Sequence, residues 1–109
     1  MNDRVRQVSS KEDFDQVIGS GSEVVVFFTA AWCGPGRFME PIFQRLSNEY
    51  TKLEFVHADI DQLNEVEVVK SVRSVPTFAF FKHDKELQRF SGASEAKLRE
   101  MIQSLQGSA

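Results

Sequence analysis

The run Val24-Val25-Val26-Phe27-Phe28 constrains the fold more than any other part of the sequence. Five consecutive β-branched and aromatic residues are typical of a strand that is buried on both faces in the middle of an α/β sheet. Shortly after this run comes Trp32-Cys33-Gly34-Pro35-Gly36, which contains the only cysteine of the chain. The sequence therefore predicts a central strand that ends close to the one thiol.

Length and charge set the class of protein. A chain of 109 residues with 41% hydrophobic residues fits a single domain over residues 1–109, with a core that needs no disulfide or metal. The net charge of -3 comes from interspersed charges, which argues against nucleic acid or an anionic membrane as the main partner. Residues 1–7 contain no apolar leader segment and one cysteine forms no internal disulfide, so we expect a cytoplasmic protein.

Apolar periodicity and capping residues predict the order of the elements. Ser10 and Ser94 are expected to cap helices, and Phe38, Ile42, Leu46 and Tyr50 recur every four residues as in a long helix. The predicted helices cover approximately residues 10–18, 33–50, 63–69 and 94–105, and the strands 4–8, 24–28, 53–60, 76–81 and 86–90. This order predicts an α/β fold with a mixed sheet covered by helices on both faces.

The position of Cys33 favours sulfur chemistry. A strand that ends near Trp32 and a helix that begins at Cys33 place the thiol at a helix N-terminus, where backbone N-H groups favour the thiolate. A thiolate attacks a disulfide to form a mixed disulfide, which a neighbouring thiol normally releases. The candidate neighbour here is Gly36, which has an N-H group to donate but no sulfur.

The residues around Cys33 suggest an accessible site. Pro35 suits the first turn of a helix, Gly34 leaves room for the backbone of a partner, and Trp32 supplies a flat apolar surface. The alternative is a cysteine buried in the core, with Trp32 as a packing residue. Because glycine and proline flank Cys33, we expect the thiol not to be buried.

Several spaced motifs resemble the thioredoxin family, of the eukaryotic type. The similarity covers essentially the whole chain, through the run at 24–26, Trp32-Cys33-Gly34-Pro35, Pro41 in the long helix, Val75-Pro76-Thr77 and Phe90-Ser91-Gly92-Ala93. The resemblance implies the thioredoxin fold, a central mixed five-stranded sheet flanked by four α-helices. It also implies a cis peptide bond before Pro76 that lies against the sulfur site.

The resemblance assigns roles to residues of the site. Cys33 would be the nucleophile, and the backbone of Val75 would pair with an extended target peptide. The residues implied to contact substrate are Trp32, Gly34, Pro35, Gly36, Val75 and Pro76. The resemblance implies neither a cofactor nor a metal ion.

Three departures from the family pattern concern the second half of the reaction. The resolving cysteine of the family falls on Gly36, its buried proton-shuttling aspartate on Phe27, and a lysine that often neighbours this aspartate on His57. A chain without the resolving cysteine has less need of a buried carboxylate that is costly to desolvate. The departures therefore favour a naturally monothiol protein over a resolving-cysteine mutant of a dithiol thioredoxin. We expect His57 to be a strand residue with a satisfied ring.

The sequence leaves more than one function open. In the first, Cys33 attacks a protein disulfide or a glutathionylated protein, and an external thiol such as glutathione resolves the mixed disulfide. In the second, the chain is a non-catalytic peptide-binding adaptor or holdase. A third has Cys33 of two chains, with glutathione, bind an iron-sulfur cluster. We expect a monomer, and two Cys33 thiols could also pair as an intermolecular disulfide.

Overall fold

The structure is a computed structural model that describes residues 4–107; the rest of the predicted domain, 1–3 and 108–109, lies outside the described residues. The elements, in chain order, are β1 Val5–Val8, α1 Lys11–Ile18, β2 Glu23–Thr29, α2 Gly34–Glu49, β3 Glu54–Asp59, α3 Glu67–Lys70, β4 Thr77–Lys82, β5 Lys85–Ser91 and α4 Glu95–Leu105. No helix among residues 4–107 has the length and apolar character needed to cross a membrane.

The five strands form one mixed sheet in the order β1-β3-β2-β4-β5. β3 pairs in parallel with β1 and β2, while β4 pairs antiparallel with β2 and β5. The predicted five-stranded sheet with four helices is confirmed, and β2 is its central strand. The hydrophobic run at 24–28 occupies this position because its side chains are covered on both faces of the sheet.

Alternate residues of β2 divide the core into two layers. Val24, Val26 and Phe28 face a cluster that contains the buried side chains of α1 and the segment around α3. Val25 and Phe27 face a second cluster that contains the buried side chains of α2 and α4. Because successive side chains of a strand point to opposite faces, this single run packs against both helical layers.

The buried face of α2 coincides only in part with the four-residue repeat. Leu46 of the repeat is fully buried and Ile42 and Tyr50 pack against the same cluster, whereas Phe38 is 63% exposed. The other buried apolar side chains are Met39 and Phe43, so the repeat correctly predicted a helix but included one residue that faces solvent. The exposed Phe38 lies one turn after Gly34, on the same side of the helix.

The predicted third helix is reduced to the four residues Glu67–Lys70. Leu63, Val66 and Val69 are buried as an apolar set, but the chain around the first two forms turns. Several valines lower the helix propensity of this segment, so burial does not require a continuous helix.

Both predicted caps are confirmed, because Ser10 accepts from the N-H of Asp13 and Ser94 from that of Lys97, each at 3.1 Å.

Candidate functional site

Cys33 is the N-cap residue of α2. Its Sγ accepts a hydrogen bond from the N-H of Gly36 at 3.2 Å, and the thiol donates to the carbonyl oxygen of Val75 at 3.5 Å. The first contact stabilises negative charge on sulfur, because a helix N-terminus directs its unpaired N-H groups at an anion. The predicted placement of the thiol at the helix N-terminus is therefore confirmed.

The expectation that Cys33 is not buried was wrong, since the residue is only 5% exposed. Its side chain nevertheless packs in neither of the two hydrophobic clusters formed by the described residues. An N-cap residue has extended backbone, φ -90° and ψ 107°, and here this geometry turns the sulfur towards Gly36 and Val75. Gly34 and Pro35, which follow Cys33, are exposed.

The segment before β4 closes one side of the sulfur. The peptide bond between Val75 and Pro76 is cis, as the resemblance implies, and Val75 is half-buried while Pro76 is buried. Thr77 anchors this segment, because its Oγ1 donates to the carbonyl oxygen of Ser74 and contacts Ser91 Oγ, both at 2.7 Å. The tertiary structure thus brings Val75 and Pro76 together with Cys33.

Trp32 immediately precedes Cys33 and is 67% exposed. Its indole Nε1 donates a hydrogen bond to Asp61 Oδ2 at 3.0 Å. Sequence reasoning missed Asp61, although one signal existed: Asp61 follows β3, which runs parallel to β2, so both strand ends meet at one edge of the sheet. The aspartate holds the indole in a defined orientation at this edge of the sheet.

Gly34 and Pro35 form the exposed first turn of α2. A Cβ atom added at Gly34 would meet nothing within 4 Å, so the chain is open to a partner's backbone at this point. Gly36, two residues later, is buried. The site therefore has an open side at Gly34 and a closed side at Gly36.

Thr29, the last residue of β2, is a second residue that sequence reasoning missed. It is 3% exposed, and its Oγ1 has no hydrogen-bond partner within residues 4–107. A Cβ atom at Gly36 would lie 2.2 Å from this oxygen and 3.2 Å from Cys33 Sγ. The sequence did contain a signal for this residue, because Thr29 ends the central strand only four residues before Cys33.

Phe27 occupies the position where the family pattern has a carboxylate. Its ring centroid lies 4.9 Å from that of Phe78, 5.2 Å from Phe43 and 5.3 Å from His57. The aromatic rings make this region apolar, and Phe27 is fully buried. Aromatic packing, not a titratable side chain, therefore fills this position.

His57 lies on β3 opposite Phe27, as expected for a strand residue. Its Nε2 is 3.7 Å from Glu40 Oε2, at the edge of an open cleft of about 270 Å³. Within residues 4–107, the contacts of the ring are this long approach to Glu40 and the edge-on packing against Phe27. Among residues 4–107, no three His, Cys, Asp or Glu side chains form a group suited to a metal ion.

Comparison with known proteins agrees with this architecture. The family model described as Thioredoxin matches residues 5–104. Thioredoxin-3 of Dictyostelium discoideum is 46% identical over 100 residues, covering 92% of this chain and 95% of the relative. The thioredoxin of Equus caballus is 39% identical over 103 residues, covering 93% and 98%.

Solved structures show the same similarity in three dimensions. The thioredoxin NaTrxh of Nicotiana alata superposes with a TM-score of 0.88 at 33% identity, covering 95% of this chain and 94% of that one. The thioredoxin of Fasciola hepatica gives 0.85 at 42% identity, covering 91% and 97%. By sequence, by fold and by the helix-capping cysteine beside a cis-proline, the chain belongs to the thioredoxin family of redox proteins.

Proposed function

We propose that the chain is a monothiol thiol-disulfide exchange protein, in which Cys33 forms mixed disulfides with protein substrates and an external thiol resolves them. One observation carries the proposal: the Gly36 N-H donates to Cys33 Sγ at 3.2 Å, while the same residue has no side chain to supply a second sulfur. The device that stabilises the thiolate is retained, and the internal resolving group is absent. This combination supports capture without rapid internal release.

The capture step exchanges one disulfide for another. The Cys33 thiol loses its proton to solvent, and the thiolate attacks one sulfur of a disulfide in a target protein or a glutathionylated protein. A bond forms between Cys33 Sγ and that sulfur, and the second sulfur leaves as a thiolate. No cofactor takes part, because no electron leaves the three sulfur atoms.

The substrate would bind across the exposed side of the site. Trp32 offers an apolar surface, and the open first turn at Gly34 and Pro35 lets a peptide backbone approach the sulfur. Val75, whose carbonyl oxygen accepts from the Cys33 thiol at 3.5 Å, would pair through its backbone with an extended target, and Pro76 follows it in the same segment. Gly36 contributes its N-H to the thiolate form.

Release would depend on a thiol from solution, for which glutathione is the proposed source. We propose a cytoplasmic location as one that supplies such a thiol, because glutathione keeps this compartment reducing. We propose a monomer as the working form. Since Cys33 is 5% exposed, pairing of two Cys33 thiols into a dimer requires close contact between the two sites.

Formation of a mixed disulfide tests the proposal. The reduced chain is incubated with a disulfide-containing protein or a glutathionylated peptide, quenched with acid and analysed by intact mass spectrometry. A mixed disulfide at Cys33 is expected, with slow turnover that increases when glutathione or dithiothreitol is added. Cys33→Ser abolishes the adduct, and Gly36→Cys measures how much turnover an internal thiol restores.

A variant with the thiol moved to another helix provides a matched control. Ser94 is the N-cap of α4, and its hydroxyl accepts from Lys97 N-H at 3.1 Å. Cys33→Ser combined with Ser94→Cys therefore keeps one cysteine at a helix N-terminus but removes it from Trp32 and Val75. Equal capture rates for this variant and the parent chain would contradict the proposed role of the site.

An adaptor that binds peptides without sulfur chemistry is the second candidate. It is favoured by two large apolar side chains near the first turns of α2, Trp32 and Phe38, which are 67% and 63% exposed. The two functions differ in their dependence on Cys33. If Cys33→Ser binds the same targets with unchanged affinity and the parent forms no mixed disulfide, the adaptor function replaces the proposed one.

A further inference from the structure

We propose that Phe38 is a specificity-determining residue, which favours target segments that carry a bulky apolar side chain two residues from the cysteine that Cys33 attacks. The inference rests on the proposed function and adds to it the sequence of the preferred target. Phe38 takes no part in the sulfur chemistry, because it would act only by contact with the bound segment.

The exposure of Phe38 is exceptional in this fold. All ten phenylalanines lie within residues 4–107, and Phe38, at 63% exposure, is the only one that is neither buried nor half-buried. The other exposed large apolar side chains in this range are Trp32 and Leu87. Packing of the core therefore does not account for an aromatic residue at this position.

Two ion pairs fix the relative position of α2 and α4. Arg45 Nη2 donates to Glu95 Oε2 at 2.9 Å, and Arg99 donates to the two oxygens of Glu49 at 2.9 and 3.1 Å. The helices therefore run parallel, and Glu95, the first residue of α4, is level with Arg45, about three turns after α2 begins. The first turns of α2 extend past the start of α4.

Phe38 lies on the side of α2 that faces α4. It precedes Arg45 by seven residues, close to two full turns, so both side chains lie on the same side of the helix. Ile42, one turn after Phe38, packs against the cluster that contains the buried side chains of α4. Phe38 is exposed because α4 begins too far along α2 to cover it.

The chain that leads into α4 continues from the cis-proline. The N-H of Gly92 donates to the carbonyl oxygen of Pro76 at 2.9 Å, and residues 91–93 are exposed. Gly92 has φ 117°, and a Cβ atom added there would meet nothing within 4 Å, as at Gly34. The surface between residues 91–93 and the first turns of α2 is therefore accessible, and Phe38 borders it.

Trp32 lies towards the other edge of the sheet. Its indole is bound to Asp61, which follows β3, whereas α4 packs against β4. These two strands flank β2 on opposite sides. Cys33 follows the central strand, so a target bound at the thiol has Trp32 towards one edge of the sheet and Phe38 towards the other.

The distance along α2 indicates which target residue meets Phe38. Phe38 is five residues after Cys33, which corresponds to about 7.5 Å along the helix axis. In an extended segment, side chains on the same face recur every two residues, or about 6.7 Å. In a target that pairs with Val75 and follows α2, the side chain two residues from the reactive cysteine is therefore level with Phe38. The residues next to that cysteine point to the opposite face.

An apolar side chain is the best match for this position. Contact with Phe38 removes apolar surface of both partners from water, whereas a charged side chain would lose hydration beside the ring. The surface begins at the thiol, and the family to which the chain belongs acts on protein disulfides, so a target protein covers it during capture. A second copy of this chain is the alternative occupant.

Capture of a set of peptides tests the inference. Each peptide has one cysteine, activated as its thionitrobenzoate disulfide, and carries phenylalanine two residues from the cysteine on either side, phenylalanine next to it, or alanine at all these positions. The Cys33 thiolate forms a bond with the peptide sulfur, and thionitrobenzoate leaves as a thiolate. Its absorbance gives the capture rate, and intact mass spectrometry identifies the adduct.

The expected result is a preference that depends on position. Phenylalanine two residues from the cysteine, on one side of it, should raise the capture rate about tenfold over the alanine peptide. Phenylalanine next to the cysteine should raise the rate less than about twofold, because it points to the opposite face.

Two variants identify the residue responsible. In Phe38→Ala, the ratio of the two capture rates should fall from about ten to about one. Leu87→Ala is the matched control, because Leu87 is another exposed apolar side chain, 41% exposed, and lies on β5. The ratio should remain about ten in this variant.

The results that overturn the inference are distinct. Equal rates for all peptides, or the same preference in Phe38→Ala as in the parent, would show that Phe38 does not select the target. Sedimentation of the parent as a dimer and of Phe38→Ala as a monomer would show that a second copy covers this surface, and would also overturn the inference. Absence of an adduct with every peptide would instead contradict the proposed function.

Discussion

Replacement of Gly36 by alanine is the sharpest test of the packing around Cys33. The added methyl group would lie 2.2 Å from Thr29 Oγ1, whereas ordinary contacts begin near 3.4 Å, so the two groups must separate by about 1 Å. Thr29 is 3% exposed at the end of the central strand, so its side chain has to shift within a buried site. The strain therefore has to be shared between β2 and the first turn of α2.

The expected free-energy change follows from two opposing effects. Overpacking of a closed site costs about 1–3 kcal/mol. Alanine in place of glycine within a helix contributes about 0.5–1 kcal/mol in the opposite direction. The difference spans about 0–2.5 kcal/mol, and we expect Gly36→Ala to lower the free energy of unfolding by about 1 kcal/mol.

Urea unfolding followed by far-ultraviolet circular dichroism measures this change. Gly34→Ala is the matched control, because it adds the same methyl group in the same helix where nothing lies within 4 Å, and its midpoint should not fall. In a Thr29→Ala background the cost of Gly36→Ala should disappear, which gives a coupling energy of at least about 1 kcal/mol. An equal cost in both backgrounds would refute the steric argument.

Three further predictions concern stability. Thr29→Val removes a buried hydroxyl without a partner within residues 4–107 and should raise the free energy of unfolding by about 1 kcal/mol; a decrease would show that the hydroxyl is satisfied. Phe27→Asp should cost about 4 kcal/mol or more in urea unfolding at neutral pH, because it removes a fully buried ring and buries a carboxylate; a cost below that of Phe27→Leu would contradict this. Hydrogen bonds from Arg99 lower the pKa of Glu49, and those from Arg45 and then Arg99 lower that of Glu95. The stability that these lowered pKa values contribute is present above the unfolded pKa of 4.5 and is lost as pH falls through the folded pKa values. In Arg99→Gln, the free energy of unfolding should therefore fall less steeply with decreasing pH in this range. An unchanged pH dependence of the free energy of unfolding would contradict this prediction.

The central strand and the helix caps were predictable because their signals are local. Five apolar residues in a row identify β2 as a strand covered on both faces, and Ser10 and Ser94 supply the side-chain oxygen that a helix N-terminus requires. The strands predicted at 76–81 and 86–90 correspond to β4 and β5, which pair antiparallel across a turn at His83 and Asp84, both with positive φ.

Predictions failed where one pattern fits two structures. The four-residue repeat in α2 includes the exposed Phe38, because the period of a helix does not state which side faces a sheet. The segment from Leu63 to Val69 buries its apolar residues with little helix, because turns also satisfy a spacing of three. Cys33 is buried although glycine and proline follow it.

The sequence by itself determined the class of chemistry: one thiol at a helix N-terminus, with glycine at the place where the family has a second thiol. The tertiary structure alone decided the surroundings of that thiol. Val75 lies 42 residues away along the chain, and Thr29 belongs to a different element from Gly36. Their contacts depend on strand pairing and side-chain packing in three dimensions, which the linear pattern of residue types does not contain.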